Sequence, residues 1–153
     1  MMRNKGFTLI EIIVVLVIIG VISAVVVLSV SAPSYSRFMS GVEKLSSTLA
    51  IIADEAVYSG SVISCSVTPT SMECKRYHDG DWSELPIRKL VSWGWPKDLK
   101  IMAIIVNGIP LRDKEPLRFF SSGDNPKISL QVSDGVYSAW IDSDLTGRYK
   151  ISN

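Results

Sequence analysis

One histidine and two cysteines are all that the 153 residues hold of the side chains that most often bind zinc. They leave too little material for a zinc centre or for catalysis built on paired histidines. Charge of one sign is also missing. Lys plus Arg is 16, Asp plus Glu is 15, and the formal net charge is +1. A field of that size does not drive binding to nucleic acid or another polyanion. There is no glycine-rich phosphate loop and no serine-elbow motif, so nothing in the sequence supports enzymatic chemistry. No repeat or low-complexity linker divides the chain, whose length suits about one domain.

The most telling absence is local. No charged residue occurs from Ile12 to Tyr35, whereas charges are dense from Arg37 onward. From Phe7 to Val30 the only charge is Glu11, and from Ile12 to Leu28 the only residues that are not large and aliphatic are Gly20, Ser23 and Ala24. A bilayer-spanning helix needs about 20 apolar residues, and this run is long enough. Arg3 and Lys5 precede it and no acid does, which places the N-terminus in the cytoplasm and the body on the far side. The β-branched content disfavours helix in water, but in lipid the backbone must satisfy itself, and helix results. A cleaved secretory signal would have a shorter apolar core and no acid near its start.

Glu11 stands out because a carboxylate inside an apolar span costs roughly 2.5 kcal/mol or more and usually has a partner. Two readings stand on the residue alone. Either Glu11 lies near the membrane surface and is solvated, or its partner belongs to another molecule.

Lys5-Gly6-Phe7-Thr8-Leu9-Ile10-Glu11, followed by the aliphatic run, resembles the processing site of the type IV prepilin family, which includes pilins and the pseudopilins of type II secretion. The resemblance implies cleavage between Gly6 and Phe7 by a prepilin peptidase, N-methylation of Phe7, and pairing of Glu11 with the N-terminal amine of a neighbouring subunit. The proline that kinks the apolar rod of major pilins falls near Leu28 here, but this chain delays it to Pro33. That placement is most similar to the H-type minor pseudopilins.

Beyond Pro33, Phe38, Val42, Leu45, Leu49, Ile52 and Ala56 recur at steps of three and four. They predict one apolar stripe on a helix ending near Gly60, so that a single helix runs from Phe7 to about Ser59. The remainder reads as short strands at Val62–Val67, Met72–Tyr77, Ile101–Val106, Leu117–Phe120, Ile128–Val132, Val136–Ile141 and Gly147–Ile151. Turn signals lie between them, including one at residues 78–81. The expected fold is α+β: a long N-terminal helix, its first half in the membrane, packed on a small antiparallel sheet domain or sandwich of pilin-like type. The expected segments are a leader at 1–6, a membrane and filament-core helix at 7–30, its amphipathic continuation at 31–60, and a periplasmic β-domain at 61–153. Phe119-Phe120-Ser121-Ser122-Gly123-Asp124 and the closing Gly147-Arg148-Tyr149-Lys150-Ile151 also resemble the β-domain that minor pseudopilins share with minor pilins.

Cys65 and Cys74 lie on adjacent strand candidates across one turn, either bridged or as two free, partly buried thiols. Trp93 and Trp95 flank Gly94, either as an exposed recognition loop for other subunits or secreted substrate, or as core filling. His78 reads as a solvated turn residue. Asp134, Asp142 and Asp144 read as turn caps rather than a calcium site, although major pseudopilins carry one. Arg118, Lys127, Arg148 and Lys150 are too scattered among acids for a nucleic-acid strip. No metal or other cofactor is expected.

The resemblance implies a minor pseudopilin of a type II secretion system: an inner-membrane, single-pass, non-enzymatic subunit that joins major and minor pseudopilins in a periplasmic filament. A minor pilin of a type IV pilus or DNA-uptake apparatus would share its fold and processing. A binding protein on a simple anchor would not be cleaved.

Overall fold

A computed structural model describes residues 9–86, 95–96, 98–144 and 147–152, without the side chains of 23–33. The chain falls into two compact units, Met1–Arg37 and Phe38–Asn153. One helix, α1 (Leu9–Tyr58), contributes to both. In the first unit, the large apolar side chains from Leu9 to Ile22 are exposed all round the helix, each at 47–78%. Among the described residues no helix is long and apolar enough to cross a membrane. The span expected over 7–30 includes residues outside them.

In the second unit the helix does what its period requires. Phe38, Val42, Leu45, Leu49, Ile52 and Ala56 are all buried in one core, while Glu43, Lys44, Ser47 and Asp54 remain exposed. Thr48 also falls on the buried face, and its hydroxyl donates to the Lys44 carbonyl at 2.8 Å. The helix thereby supplies the acceptor that burial of a hydroxyl demands. It stops at Gly60: the Ser61 N–H donates to Ala56 O at 3.1 Å and the Gly60 N–H to Val57 O at 3.2 Å. These are the two reversed bonds of a Schellman cap.

Among the described residues nine strands follow, all antiparallel. They are β1 (Val62–Thr68), β2 (Ser71–His78), β3 (Asp81–Leu85), β4 (Lys100–Val106), β5 (Ile109–Pro110), β6 (Leu117–Phe119), β7 (Ile128–Ser133), β8 (Ser138–Ser143) and β9 (Tyr149–Ser152). One sheet has the order β3-β2-β1-β6 and the other β5-β4-β7-β8-β9. Their apolar faces and the helical stripe share one buried cluster. The fold is therefore α+β, a helix packed on antiparallel sheets. The Ile101 N–H donates to Pro69 O at 2.8 Å, tying β4 to the β1–β2 turn.

The hairpins at Asp79-Gly80 and Asn107-Gly108 have positive φ at both central residues (51° and 92°, 51° and 81°). That geometry suits a two-residue turn between twisted strands, and it is why Asx-Gly pairs occupy these sites. The first hairpin adds a strand that periodicity did not reveal: β3 follows the turn directly, with Tyr77 opposite Trp82 and Cys74 opposite Leu85. The strand expected at Val136–Ile141 begins later, at Ser138, because Asp134 Oδ1 accepts the N–H groups of Val136 and Tyr137 at 2.9 and 2.8 Å. A side-chain acceptor there displaces the ladder. The closing strand likewise begins at Tyr149 rather than Gly147.

Two buried polar residues hold the connections. Asn125 Oδ1 accepts the Phe120 N–H at 2.8 Å, and Ser143 Oγ accepts the Ile128 N–H at 2.7 Å. On β9, burial pushes the Tyr149 phenol pKa up, and the nearby Asp54 carboxylate on the helix adds to the rise.

Leu45→Ala removes a side chain with no solvent exposure and is expected to cost about 2–5 kcal/mol of body stability. Ile51→Ala, at a partly exposed position of the same helix, should cost under about 1 kcal/mol. Denaturant unfolding of the two variants followed by near-UV circular dichroism checks the difference. For Tyr149, the folded state favours the neutral phenol, so it holds the proton longer than the unfolded chain does. Stability should fall as pH rises past about 10, where the unfolded phenol begins to ionise, and Tyr149→Phe should flatten that slope. Unfolding midpoints of the two proteins between pH 8 and pH 11, values chosen to bracket about 10, give the comparison.

Candidate assembly site

The described helix places Glu11 in its first turn. Its helical neighbours Ile10, Ile12, Val14 and Val15 are apolar and exposed. The result is one anionic group on an otherwise uncharged cylinder with no apolar side turned inward. An amphipathic helix of a soluble domain has one wet face and one dry face. Over Leu9 to Ile22 the helix shows no such division, since its large apolar side chains are exposed all round. Gly6 and Phe7, the expected cleavage pair, lie outside the described residues.

Cys65 and Cys74 are Cα partners across β1 and β2 and are joined as a disulfide. Both are buried. Trp95 is half-buried and packs against the core, and its indole N–H donates to the Leu99 carbonyl at 2.9 Å. The segment around it lies close on the helix: a Cβ added at Gly41 would meet Pro96 Cγ at 3.4 Å. The Trp95 side chain is thus turned toward the body rather than offered from an exposed loop. Trp93 lies outside the described residues. Gly41 is the signal that could have located this approach, since an isolated glycine within a helical stripe often marks a neighbour that comes close.

His78 closes β2, where its Nδ1 lies 3.3 Å from Ser61 Oγ and its Nε2 3.2 Å from Asp79 Oδ2. Ser61 is itself buried, and its hydroxyl donates to the Ser59 carbonyl at 3.1 Å. Asp134 and Asp144 serve the backbone, and Asp142 a side-chain hydroxyl. Asp134 holds the β7–β8 turn, Asp144 Oδ1 accepts the Arg148 N–H at 3.0 Å, and Asp142 Oδ2 accepts from Ser152 Oγ at 3.4 Å. Among the described residues no three metal-ligating side chains gather. The basic residues are divided. Arg118 is on β6 of one sheet, whereas Lys150 is on β9 of the other, opposite Asp142.

An aromatic pair missed by the strand pattern stands on the β2–β3 hairpin: Tyr77 and Trp82 rings are 5.1 Å apart and both are exposed. Arg76 on β2 reaches Glu55 on the helix at 3.4 Å.

Residues 1–27 match the family model for the prokaryotic N-terminal methylation motif. The chain is also similar to the type II secretion system protein H of Pseudomonas aeruginosa, with 33% identity over 90 residues, 58% of this chain and 52% of that protein. It thus spans about half the length of the curated relative it matches. No solved structure matches. The chain therefore carries an N-terminal methylation motif at the head of the exposed apolar helix, and its similarity to a secretion-system protein extends over more than half its length.

Proposed function

We propose that this chain is a minor pseudopilin of a type II secretion system, acting mechanically and without catalytic residues. The observation that carries the proposal is the coincidence of the methylation motif over residues 1–27 with a helical stretch, Leu9 to Ile22, whose large apolar side chains are exposed all round and whose one charge is Glu11. The precursor waits in the inner membrane with its body in the periplasm. A prepilin peptidase cuts after Gly6 and methylates Phe7. The freed helix then moves from lipid into the helical core of a filament, two surroundings that both satisfy an all-apolar circumference. Glu11 sets the axial register by pairing with a neighbour's N-terminal amine. A charge in an apolar medium has few alternatives to its partner, so a subunit displaced along the axis leaves both groups unpaired. The Phe38–Asn153 body is carried on the filament, and growth of the filament moves folded cargo toward the outer membrane.

The same motif and helix suit a minor pilin of a type IV pilus or DNA-uptake machine. The similarity to a type II secretion protein favours secretion.

Deletion in the native host should leave exoenzymes in the periplasm with pili and DNA uptake intact. Loss of pili or uptake with secretion intact would assign the chain to a pilus instead. Glu11→Ala should still insert and be cleaved, while its cross-linking to other filament subunits falls about tenfold or more, as expected for loss of an intramembrane charge pair. Unchanged cross-linking would remove Glu11 from the register role.

A further inference from the structure

Four strands end the two sheets: β3 and β6 in one, β5 and β9 in the other. An edge strand leaves a row of backbone N–H and C=O groups unpaired, and folded proteins usually blunt it with shortness, proline, lysine or a bulge. Three of the four edges are blunted in this way. β5 has two residues and one is Pro110, β6 has three, and β9 has four with Lys150 among them. β3 is different. It has five residues, Asp-Trp-Ser-Glu-Leu, and its register with β2 runs unbroken from Asp81 to Leu85. The two-residue turn at Asp79-Gly80 makes His78 and Asp81 a hydrogen-bonded pair, and such pairs alternate along the hairpin. The N–H and C=O groups of Ser83 and Leu85 therefore face β2, while those of Trp82 and Glu84 face away from the sheet. No described residue bonds to them. The side chains beside this edge are exposed from Asp81 to Glu84. Trp82 and Glu84 alternate with the buried Leu85, so both stand on the outer face. Trp82 is 52% exposed and rests against Tyr77, its cross-strand partner. Neither Asp81 nor Glu84 makes an ion pair among the described residues.

We propose that β3 is a docking edge for an extended basic segment of another protein, which joins the sheet as a fifth strand and lays an apolar side chain against Trp82. Strand addition draws its affinity from main-chain hydrogen bonds and its selectivity from alternate side chains. The outward groups of Trp82 and Glu84 supply two donors and two acceptors at the two-residue spacing that a strand repeats. A strand paired there sets its own side chains about 4.5–5.5 Å from those of Trp82 and Glu84, close enough for each pair to interact. Opposite charges across a ladder favour pairing and like charges oppose it. Two carboxylates without ion pairs therefore turn away a second β3 or any acidic strand, and they admit one that carries Lys or Arg. Trp82 is of the residue type that most often dominates an interface, and Tyr77 already fixes one side of its ring. The edge belongs to the body, and its chemistry does not depend on the secretion role.

The test uses the full chain in detergent and a dye-labelled synthetic peptide, Thr-Lys-Thr-Tyr-Thr-Lys, whose Lys and Tyr side chains share one face of a strand. Fluorescence anisotropy measures its binding against a twin with Glu in place of each Lys. The Lys peptide should bind at least about tenfold more tightly than the Glu peptide. Two further peptides carry N-methyl groups on alternate amides, one set or the other. Only one set faces β3 in an added strand, so one methylated peptide should lose about tenfold or more in affinity and the other should stay within a few-fold. Glu84→Pro removes an outward donor and leaves the β2 ladder intact, since proline is tolerated where the N–H faces solvent. Glu84→Lys reverses the charge. Both variants should keep the near-UV circular dichroism of the parent chain and bind the Lys peptide several-fold more weakly, and Glu84→Lys should gain affinity for the Glu peptide. No binding of the Lys peptide at millimolar concentration would overturn the proposal, and so would equal affinity for the Lys and Glu peptides or for the two methylated ones. Self-association of the parent chain that Glu84→Lys abolishes would assign the edge to a second copy and overturn the basic partner. The deletion phenotype tests the secretion role separately.

Discussion

The burial of one helical stripe, Phe38 to Ala56, is the constraint on which the body depends. Two sheets of four and five strands present apolar faces, and the helix is the element whose side chains join both in one cluster. Without it, Ile63, Phe119, Leu130 and Ile141 would lose the surface they pack against. The same helix begins as an apolar cylinder with no inward face. One continuous element therefore carries two kinds of surface. One is buried within the chain, and the other is exposed.

This division explains why the helix was so legible in the sequence. Steps of three and four among Phe38, Val42, Leu45, Leu49, Ile52 and Ala56 reflect one-sided burial, and each of these residues is buried. The all-apolar pattern before Pro33 has no such period, and from Leu9 to Ile22 the large side chains are exposed all round the helix. Lys5-Gly6-Phe7 and Glu11 were legible for a different reason: they fall in a short linear motif, matched over residues 1–27, which is recognisable without a fold.

The β-domain was less legible, because short strands are placed by partners rather than by their own period. β3 has four exposed residues and one buried, so its pattern does not alternate, and it exists because the Asp79-Gly80 turn folds it onto β2. The start of β8 moved because Asp134 captured two backbone donors. The inward position of Trp95 followed from the space above Gly41 and a carbonyl at Leu99, neither of which lies in the tryptophan's own sequence pattern. Tyr149 and Asp54 are far apart in sequence and meet only in the folded body.

In the proposed function, processing at the N-terminus would join these surfaces, since cleavage would create the amine that Glu11 of a neighbour would bind. The most direct test is the intact mass and N-terminal sequence of the chain recovered from membranes of its native host. The account predicts a protein that lacks residues 1–6 and begins at Phe7 with one added methyl group. A chain that retains Arg3 and Lys5, or begins at another residue, would contradict it.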